Sequence, residues 1–114
     1  INHCTPKDEK ERKDKYIFIR NHVDKKAGIY VYMQNDKCIY IGKAKLLYSR
    51  LRSHYIESFS TVPGDTKDNR WHRFFSQHQG EVKIFWKEVV SEDERQIIEM
   101  LLTKILKPAF LTFK

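Results

Sequence analysis

The chain has 114 residues, of which 40% are apolar and 13% are aromatic. A chain of this length builds one modest hydrophobic core, which excludes a protein of two ordinary domains. Its formal net charge is +7, and residues 1–58 supply six of the seven charges. A basic surface attracts polyanions, of which nucleic acid is the commonest, so the charge favours a nucleic-acid partner.

The sequence lacks the signals of a membrane or secreted protein. No apolar stretch approaches the roughly 20 residues that span a bilayer, and no apolar signal-peptide segment follows the charged start. We therefore expect an intracellular protein, cytoplasmic or nucleoid-associated. The first residue is Ile1 rather than methionine, which is consistent with a fragment or a processed chain. Cys4 and Cys38 have neither zinc-site nor disulfide spacing, so we expect two free thiols.

The N-terminal segment, residues 1–26, mixes both charge signs and is predicted to be a basic leader or helical extension. A short apolar run at residues 16–19 follows the most charged part of this segment. Four residues fit a strand or a helix turn equally well, so the sequence leaves the class of this run open.

Two tripeptides mark a β-hairpin. Gly-Ile-Tyr at residues 28–30 and Tyr-Ile-Gly at residues 40–42 lie in alternating apolar runs and are separated by nine residues. Asn-Asp-Lys at residues 35–37 is a turn signal between them, which predicts two adjacent antiparallel strands. Side chains two apart in a strand share a face. The hairpin therefore predicts that Tyr30 and Tyr40 project from one side of the sheet.

A helix is predicted over residues 46–59. Three apolar residues at four-residue spacing mark its buried stripe, namely Leu47, Leu51 and Tyr55. Arg50 and His54 are also four residues apart, on a neighbouring flank. One edge of the helix would then present two cationic or hydrogen-bonding groups a turn apart. An ordinary surface arginine and helix-face histidine would satisfy the same pattern.

The second half of the chain predicts a loop, a strand and two helices. Residues 61–65 indicate a loop, and an aromatic helix begins at Trp71. Partial alternation over residues 82–90 predicts a third strand. The last helix starts near Ser91, a suitable N-cap, and Pro108 ends it. Four residues could stack on unpaired bases, although core packing is the commoner use of such side chains: Trp71, His72, Phe74 and Trp86.

The last helix carries a candidate metal ligand. Its apolar stripe predicts that five residues share one buried face: Ile97, Ile98, Leu101, Leu102 and Ile105. Glu99 projects away from the centre of this stripe, so it is free to face a cleft or to be an ordinary surface glutamate. Glu92 and Glu94 are rival carboxylates, although both are already explained as first-turn helix stabilisers.

Together these residues resemble the GIY-YIG nuclease family. The resemblance lies in the order of the two tripeptides and of the residues that follow them: Lys43, Arg50, His54 and Glu99, the last shortly before Pro108. Residues 40–45 and 50–53 are particularly similar to the N-terminal nuclease module of the excision-repair subunit UvrC. His54 is more similar to the restriction-enzyme members. The resemblance covers about residues 27–111, and either tripeptide alone would carry little weight.

The resemblance implies an α+β fold, with a small, mostly antiparallel three-stranded sheet flanked by helices. The elements predicted above approach the same architecture independently. The resemblance also implies that residues 27–114 form the nuclease domain.

Six positions match the catalytic residues of the family: Tyr30, Tyr40, Lys43, Arg50, His54 and Glu99. The resemblance implies that Tyr30 is the general base and that Tyr40 positions water or phosphate. It implies that Arg50 grips the scissile phosphate and that Glu99 is the single metal ligand. Four residues are expected to contact DNA: Lys43, Lys45, Arg50 and Arg52. A phenol has an ordinary pKa near 10, so Tyr30 could act as a base at neutral pH only if Lys43 or the metal favours phenolate.

The implied function is metal-dependent hydrolysis of DNA phosphodiester bonds, with Mg²⁺ or Mn²⁺ as the cofactor and one strand cut per active site. The expected partners are DNA and a specificity domain, a repair protein or a second protomer. Many family members have asparagine where this chain has Leu111, which has no polar side chain; Thr112 is an alternative for that supporting role. Two other functions stay open: a DNA-binding module with lost or partner-dependent catalysis, and a catalytic cassette of a homing or restriction endonuclease.

Overall fold

An antiparallel sheet at the centre of the fold carries helices on both faces. The computed structural model describes residues 2–3, 8–59 and 81–108. In chain order the elements are β1 (Asn2–His3), α1 (Glu9–Val23), β2 (Gly28–Gln34), β3 (Lys37–Ala44), α2 (Leu47–Phe59), β4 (Val82–Glu88) and α3 (Glu92–Leu106). The sheet order is β1-β4-β2-β3, and every neighbouring pair is antiparallel. The predicted three-stranded α+β fold is confirmed, and β1 adds a two-residue strand at one edge.

Several predictions concern residues that lie outside this description. They are the loop over residues 61–65, the aromatic helix with Trp71, His72 and Phe74, the thiol of Cys4, and the roles of Leu111 and Thr112. None of the helices in the described ranges is long and apolar enough to cross a membrane.

The β2–β3 hairpin turns at the two residues that the sequence indicates. Asn35 and Asp36 both have positive φ, at 51° and 62°, which is the backbone of a two-residue type I′ turn. The register places Tyr32 opposite Tyr40 and Tyr30 opposite Gly42. Because these four positions have the same parity across the ladder, their side chains share one face of the sheet.

The helix α1 settles the class of the apolar run at residues 16–19, which lies entirely within it. Asp8 caps the helix, since its side chain accepts a hydrogen bond of 2.8 Å from the backbone N–H of Glu11. Ile19 and Val23 are buried. A segment of mixed charge therefore contributes two side chains to the hydrophobic core.

The sheet separates two apolar clusters. The cluster beneath α1 and α2 contains Ile19, Val23, Tyr30, Tyr32, Ile39, Tyr40, Ala44, Leu47, Leu51, Tyr55, Val82 and Ile84. The cluster beneath α3 contains Ile29, Cys38, Ile41 and Val89, with partly buried Val31, Met33, Ile98 and Leu102 packed against it. The predicted stripe of α2 is buried, and Cys38 is a buried thiol. Both faces of the central strands are therefore covered.

The helix α3 begins and ends where the sequence predicts. The Ser91 hydroxyl accepts a hydrogen bond of 3.3 Å from the backbone N–H of Glu94, and Lys107 adopts a left-handed C-cap, with φ 49°, just before Pro108.

The predicted buried stripe of α3 is wrong in part. Ile98 and Leu102 pack on the sheet, but Ile97, Leu101 and Ile105 are 57%, 54% and 71% exposed. The row through the exposed residues lies about 100° around the helix from the row through the packed ones. The helix thus rests on the sheet along one row of a stripe that is two rows wide.

Candidate active site

Three tyrosines and one histidine form a buried cluster between the sheet and α2. Tyr30, Tyr32 and Tyr40 are at most 6% exposed, and His54 is 5% exposed. The ring centroids of Tyr30 and Tyr40 are 6.0 Å apart, and those of Tyr30 and His54 are 5.8 Å apart. The hairpin register and α2 together bring the two motif tyrosines to one place, as the alternation of the strands predicts.

The Tyr30 hydroxyl forms a buried hydrogen bond with His54. The distance from Tyr30 Oη to His54 Nε2 is 2.9 Å. Burial, then the neighbouring Tyr40 and Tyr32, raise the pKa of Tyr30 well above its ordinary value of 10, while Arg50 acts in the opposite direction. The phenol is therefore protonated at neutral pH, and the tautomer of His54 decides whether the phenol or the imidazole donates in this bond.

This electrostatic result differs from the sequence prediction in one respect. From the sequence, Lys43 or the metal is expected to favour the phenolate, whereas the side chain that lowers the pKa of Tyr30 is Arg50. Lys43 lies opposite Ile29 in the ladder, whereas Tyr30 lies opposite Gly42. The side chains of Lys43 and Tyr30 consequently leave opposite faces of the sheet.

Gly42 leaves the space that Tyr30 occupies. A Cβ atom built on Gly42 would collide with Cζ and Oη of Tyr30, directly across the ladder. A residue without a side chain is needed where a ring lies over the neighbouring strand. Gly28 has a backbone reason instead, because a Cβ there would collide with the carbonyl oxygen of Lys87 on β4. Gly42 thus makes room for the Tyr30 ring, and Gly28 allows the close approach of β2 to β4.

A cavity of about 440 Å³ lies at the free edge of β3, and none of the four cluster residues is among the residues that line it. Its walls come from the end of β3, from the first turns of α2 and from the first turns of α3: Lys43, Ala44, Lys45, Leu46, Ser49, Arg50, Ser53, Glu92 and Arg95. Four of these side chains are cationic and one is acidic. The cavity therefore suits an anion.

Three of the four predicted DNA contacts line this cavity, namely Lys43, Lys45 and Arg50. All three are exposed. Arg52 does not line the cavity. Its guanidinium lies 4.7 Å from the ring centroid of Tyr16 on α1, an arrangement typical of a cation–π contact.

The side chains of Arg50 and His54 separate, although they are one helical turn apart. The sequence predicts that one edge of the helix presents both groups. In the structure Arg50 is exposed at the cavity, while His54 is buried against Tyr30. α2 rests on the sheet on a face wide enough to include His54, so the histidine faces the core and the arginine faces the cavity.

The predicted metal ligand, Glu99, is half-buried on α3. It does not line the cavity, but it follows Glu92 and Arg95 by seven and four residues, so all three lie along one stripe of the helix. Within the described ranges no group of three or more His, Cys, Asp and Glu side chains could hold a metal ion. A single carboxylate fits Mg²⁺, which keeps several waters, and does not fit a structural zinc site.

Sequence reasoning missed Arg95. Among the described residues that line the cavity, Arg95 is the one buried basic residue, with 5% of its surface exposed. Sequence reasoning keeps Glu92 as a rival carboxylate already explained as a helix stabiliser, and it assigns no role to Ser49 or Ser53. The available signal was spacing, because Arg95 lies one turn before Glu99 and one turn after the N-cap Ser91.

A family of known proteins matches most of this chain. The model of the UvrC-like GIY-YIG domain matches residues 26–111. UvrABC system protein C of Aliarcobacter butzleri is 33% identical over 85 residues, which are 74% of this chain and 13% of that protein. The same protein of Nautilia profundicola is 36% identical over 84 residues, which are 73% of this chain and 13% of that protein. The chain thus matches a small part of these curated relatives.

Solved structures agree with the family match. The GIY-YIG N-terminal endonuclease domain of Thermotoga maritima UvrC, bound to magnesium as its catalytic divalent cation, is 27% identical with a TM-score of 0.56, over 90% of this chain and 96% of that one. A point mutant of that domain, also bound to its catalytic divalent cation, gives a TM-score of 0.58 at 27% identity, over 91% and 97% of the two chains. The resemblance seen in the sequence is confirmed, and the chain belongs to the UvrC-like GIY-YIG family of endonuclease domains.

Proposed function

We propose that this domain is a metal-dependent DNA endonuclease that hydrolyses one phosphodiester bond per active site. The observation that carries the proposal is that Arg50, in the wall of the cationic cavity, also acts electrostatically on Tyr30, which is hydrogen-bonded to His54. A pair of groups that can transfer a proton and a cationic site for the phosphate are two things that hydrolysis of a phosphodiester needs from a protein.

Proton transfer is assigned to Tyr30 and His54. Because Tyr30 is protonated, it can accept a proton from water only if it gives up its own. His54 Nε2, 2.9 Å from the phenol oxygen, is the acceptor in the tautomer that carries its own proton on Nδ1. The water proton moves to Tyr30, the Tyr30 proton moves to His54, and the water oxygen bonds to phosphorus as the bond to the leaving oxygen breaks.

This assignment has a structural requirement. Tyr30 is fully enclosed, with no exposed surface. Binding of DNA must therefore open a path by which one water reaches the phenol oxygen. Tyr40, which is hydrogen-bonded to Tyr30, is the positioning residue that would keep the phenol in place while the path opens.

Phosphate binding is assigned to the cavity. The guanidinium of Arg50 can donate two parallel hydrogen bonds to the scissile phosphate, and its charge already acts on Tyr30. Lys43 and Lys45 add positive charge at the end of β3. These cations stabilise the charge that accumulates on the nonbridging oxygens.

Glu99 is the residue that would hold a divalent cation. Its half-buried carboxylate lies on the stripe of α3 that continues the cavity wall. A bound Mg²⁺, or Mn²⁺ in its place, supplies Lewis-acid stabilisation of the leaving oxygen. A single carboxylate argues for one ion, and hence for one cut per active site.

We infer that DNA is the substrate. A DNA substrate supports a location in the cytoplasm or at the nucleoid. The name of these relatives, UvrABC system protein C, supports a role in DNA repair for the parent protein. Partner proteins or further domains would supply the choice of site.

The test is incubation of the purified domain with supercoiled plasmid, with Mg²⁺ or with EDTA. Wild-type protein should give open circles only with Mg²⁺, and Tyr30→Phe and Glu99→Gln should give none while remaining folded. Tyr48→Phe and Glu94→Gln are matched controls outside the cavity and should cut normally. Wild-type-like cutting by Glu99→Gln would reject its role as metal ligand.

Two other outcomes carry information about assembly and catalysis. Early linear product would indicate paired active sites, as in a homing or restriction enzyme that acts as a dimer. Absence of cutting with salt-sensitive DNA binding retained would favour a binding module or partner-dependent catalysis. The leucine at position 111 is the sequence observation that favours this second function.

A further inference from the structure

Arg95 is a buried cation in the wall of the cavity. It is 5% exposed, and its Nη1 atom donates to the carbonyl oxygens of Val89 and Val90 at 2.9 Å and 2.7 Å. These carbonyls belong to the short connection between β4 and α3. The two bonds fix the guanidinium in one orientation, so little side-chain entropy remains to be lost when it binds a ligand.

Among the residues that the structure describes, the hydrogen bonds of Arg95 use only Nη1 of the guanidinium. A guanidinium has five N–H donors, and Nη1 accounts for two of them. Nε and Nη2 carry the other three, and the residue lines the cavity. The carbonyl contacts therefore orient the side chain without using its capacity to bind a phosphate.

The charge of Arg95 lacks a carboxylate partner among the residues that the structure describes, where the ion pairs within 4.0 Å join other residues. Glu92 lines the same cavity but forms none of these pairs. Buried charges are normally paired, because desolvation is costly. Lys43, Lys45 and Arg50 lie around the same cavity and increase the positive potential there. A bound anion would compensate this charge.

We propose that Arg95 binds a second phosphate of the DNA strand, next to the scissile phosphate assigned to Arg50. The inference rests on the proposed nuclease function. Arg50 comes from α2 and Arg95 from α3, so the two arginines hold the strand from opposite walls of the cavity. Arg95 lies one turn from Glu99 and thereby sets the strand against the metal-binding side of the site.

The primary test is the salt dependence of DNA binding by Arg95→Gln. Binding of a fluorescent duplex is measured by anisotropy in EDTA over a series of salt concentrations. Loss of one phosphate contact should reduce the slope of log K against log salt by about 0.9. Affinity should fall about tenfold, the loss of one charge-assisted contact. Arg20→Gln, an exposed arginine of α1 outside the cavity, is the matched control and should leave the slope unchanged.

A purely structural role for Arg95 predicts a different result. Folded Arg95→Gln with a lower melting temperature but the wild-type slope and affinity would overturn the proposal. If Arg95→Gln does not fold, Arg95→Lys takes its place. Lysine keeps the charge, but its single ammonium group cannot donate to both carbonyls and to a phosphate as the guanidinium can. We therefore expect Arg95→Lys to bind DNA more weakly than the wild type. Wild-type affinity of Arg95→Lys would overturn the proposal equally.

Cleavage separates this inference from the proposed function. In steady-state nicking, Arg95→Gln should raise KM more than it lowers kcat, whereas Tyr30→Phe should remove kcat. A wild-type protein that nicks plasmid while Arg95→Gln keeps its slope and KM rejects only the second phosphate site. A wild-type protein that neither binds nor cuts DNA rejects both proposals.

Discussion

Tyr30 meets two opposing demands at the scale of single residues. Complete burial, assisted by Tyr40 and Tyr32, raises the pKa of its phenol, yet the proposed reaction needs the phenol oxygen to accept a proton. The hydrogen bond to His54 resolves the conflict, because a phenol that donates its proton as it accepts another never becomes a buried phenolate. The proposed reaction therefore makes His54 the proton-transfer partner of Tyr30.

The raised pKa of Tyr30 predicts a loss of stability at alkaline pH. An unfolded tyrosine ionises near pH 10, and the folded one ionises only at a higher pH. The stabilisation is fully present below about pH 10 and falls by up to about 1.4 kcal/mol per pH unit as pH rises through the interval between the two pKa values. Tyr30→Phe should lack this decline, while Tyr48→Phe should keep it.

Urea unfolding at about pH 8, 10 and 11 measures this effect as the difference in pH dependence between variant and wild type. Groups that titrate equally in both proteins cancel in that difference. Parallel curves for wild type and Tyr30→Phe would contradict the burial of a protonated phenol.

Gly42→Ala tests the steric basis of the second tripeptide. The added Cβ would collide with the end of the Tyr30 ring, so we expect a loss of about 1–3 kcal/mol in the free energy of unfolding, as in other overpacked cores. Plasmid nicking should fall with it, because the phenol oxygen is displaced from His54.

A double-mutant cycle identifies the ring as the cause. Removing the ring with Tyr30→Ala creates space, so Gly42→Ala should cost less in the Tyr30→Ala background than in wild type. Equal costs in the two backgrounds would assign the effect to the strand backbone instead.

At the scale of elements, tertiary contacts decide what local sequence leaves open. Residues 16–19 are too few to favour helix or strand, and burial of Ile19 in the core settles the matter. α3 shows the converse. Its start and end follow from the local chemistry of Ser91 and Pro108 and are predicted correctly. Which row of its apolar residues meets the sheet depends on how the helix docks, so burial of Ile97 is predicted wrongly.

The packing of α1 predicts a contrast between two isoleucines on that helix. Ile19 is 1% exposed and Ile17 is 56% exposed. Ile19→Ala should therefore lower the free energy of unfolding by about 2–4 kcal/mol, whereas Ile17→Ala should change it by no more than about 0.5 kcal/mol. Chemical denaturation of the two variants measures both values. Since both substitutions have the same effect on helix propensity, equal losses would show that α1 does not dock on the core.

For the whole molecule, the sequence predicts the chemistry of the candidate site better than its shape. The family resemblance implies Tyr40, Lys43 and Arg50 as site residues, and the structure places Tyr40 in the tyrosine cluster and the other two in the cavity wall. Periodicity along one element cannot show that His54 faces inward, or that α3 turns Arg95 towards the edge of β3. Those facts depend on how three elements meet, which a single sequence does not specify locally.

The last prediction concerns the net charge of +7. If DNA binds in the cavity, the salt dependence of binding depends on the four cavity cations and not on total charge. For four phosphate contacts on duplex DNA, the expected slope of log K against log salt is about −3.6. Lys43→Gln with Lys45→Gln should bring it to about −1.8. Lys10→Gln with Arg20→Gln removes the same charge from α1, outside the cavity, and should leave the slope near its wild-type value. Equal changes in the two double variants would mean that a diffuse field, rather than the cavity, binds the DNA.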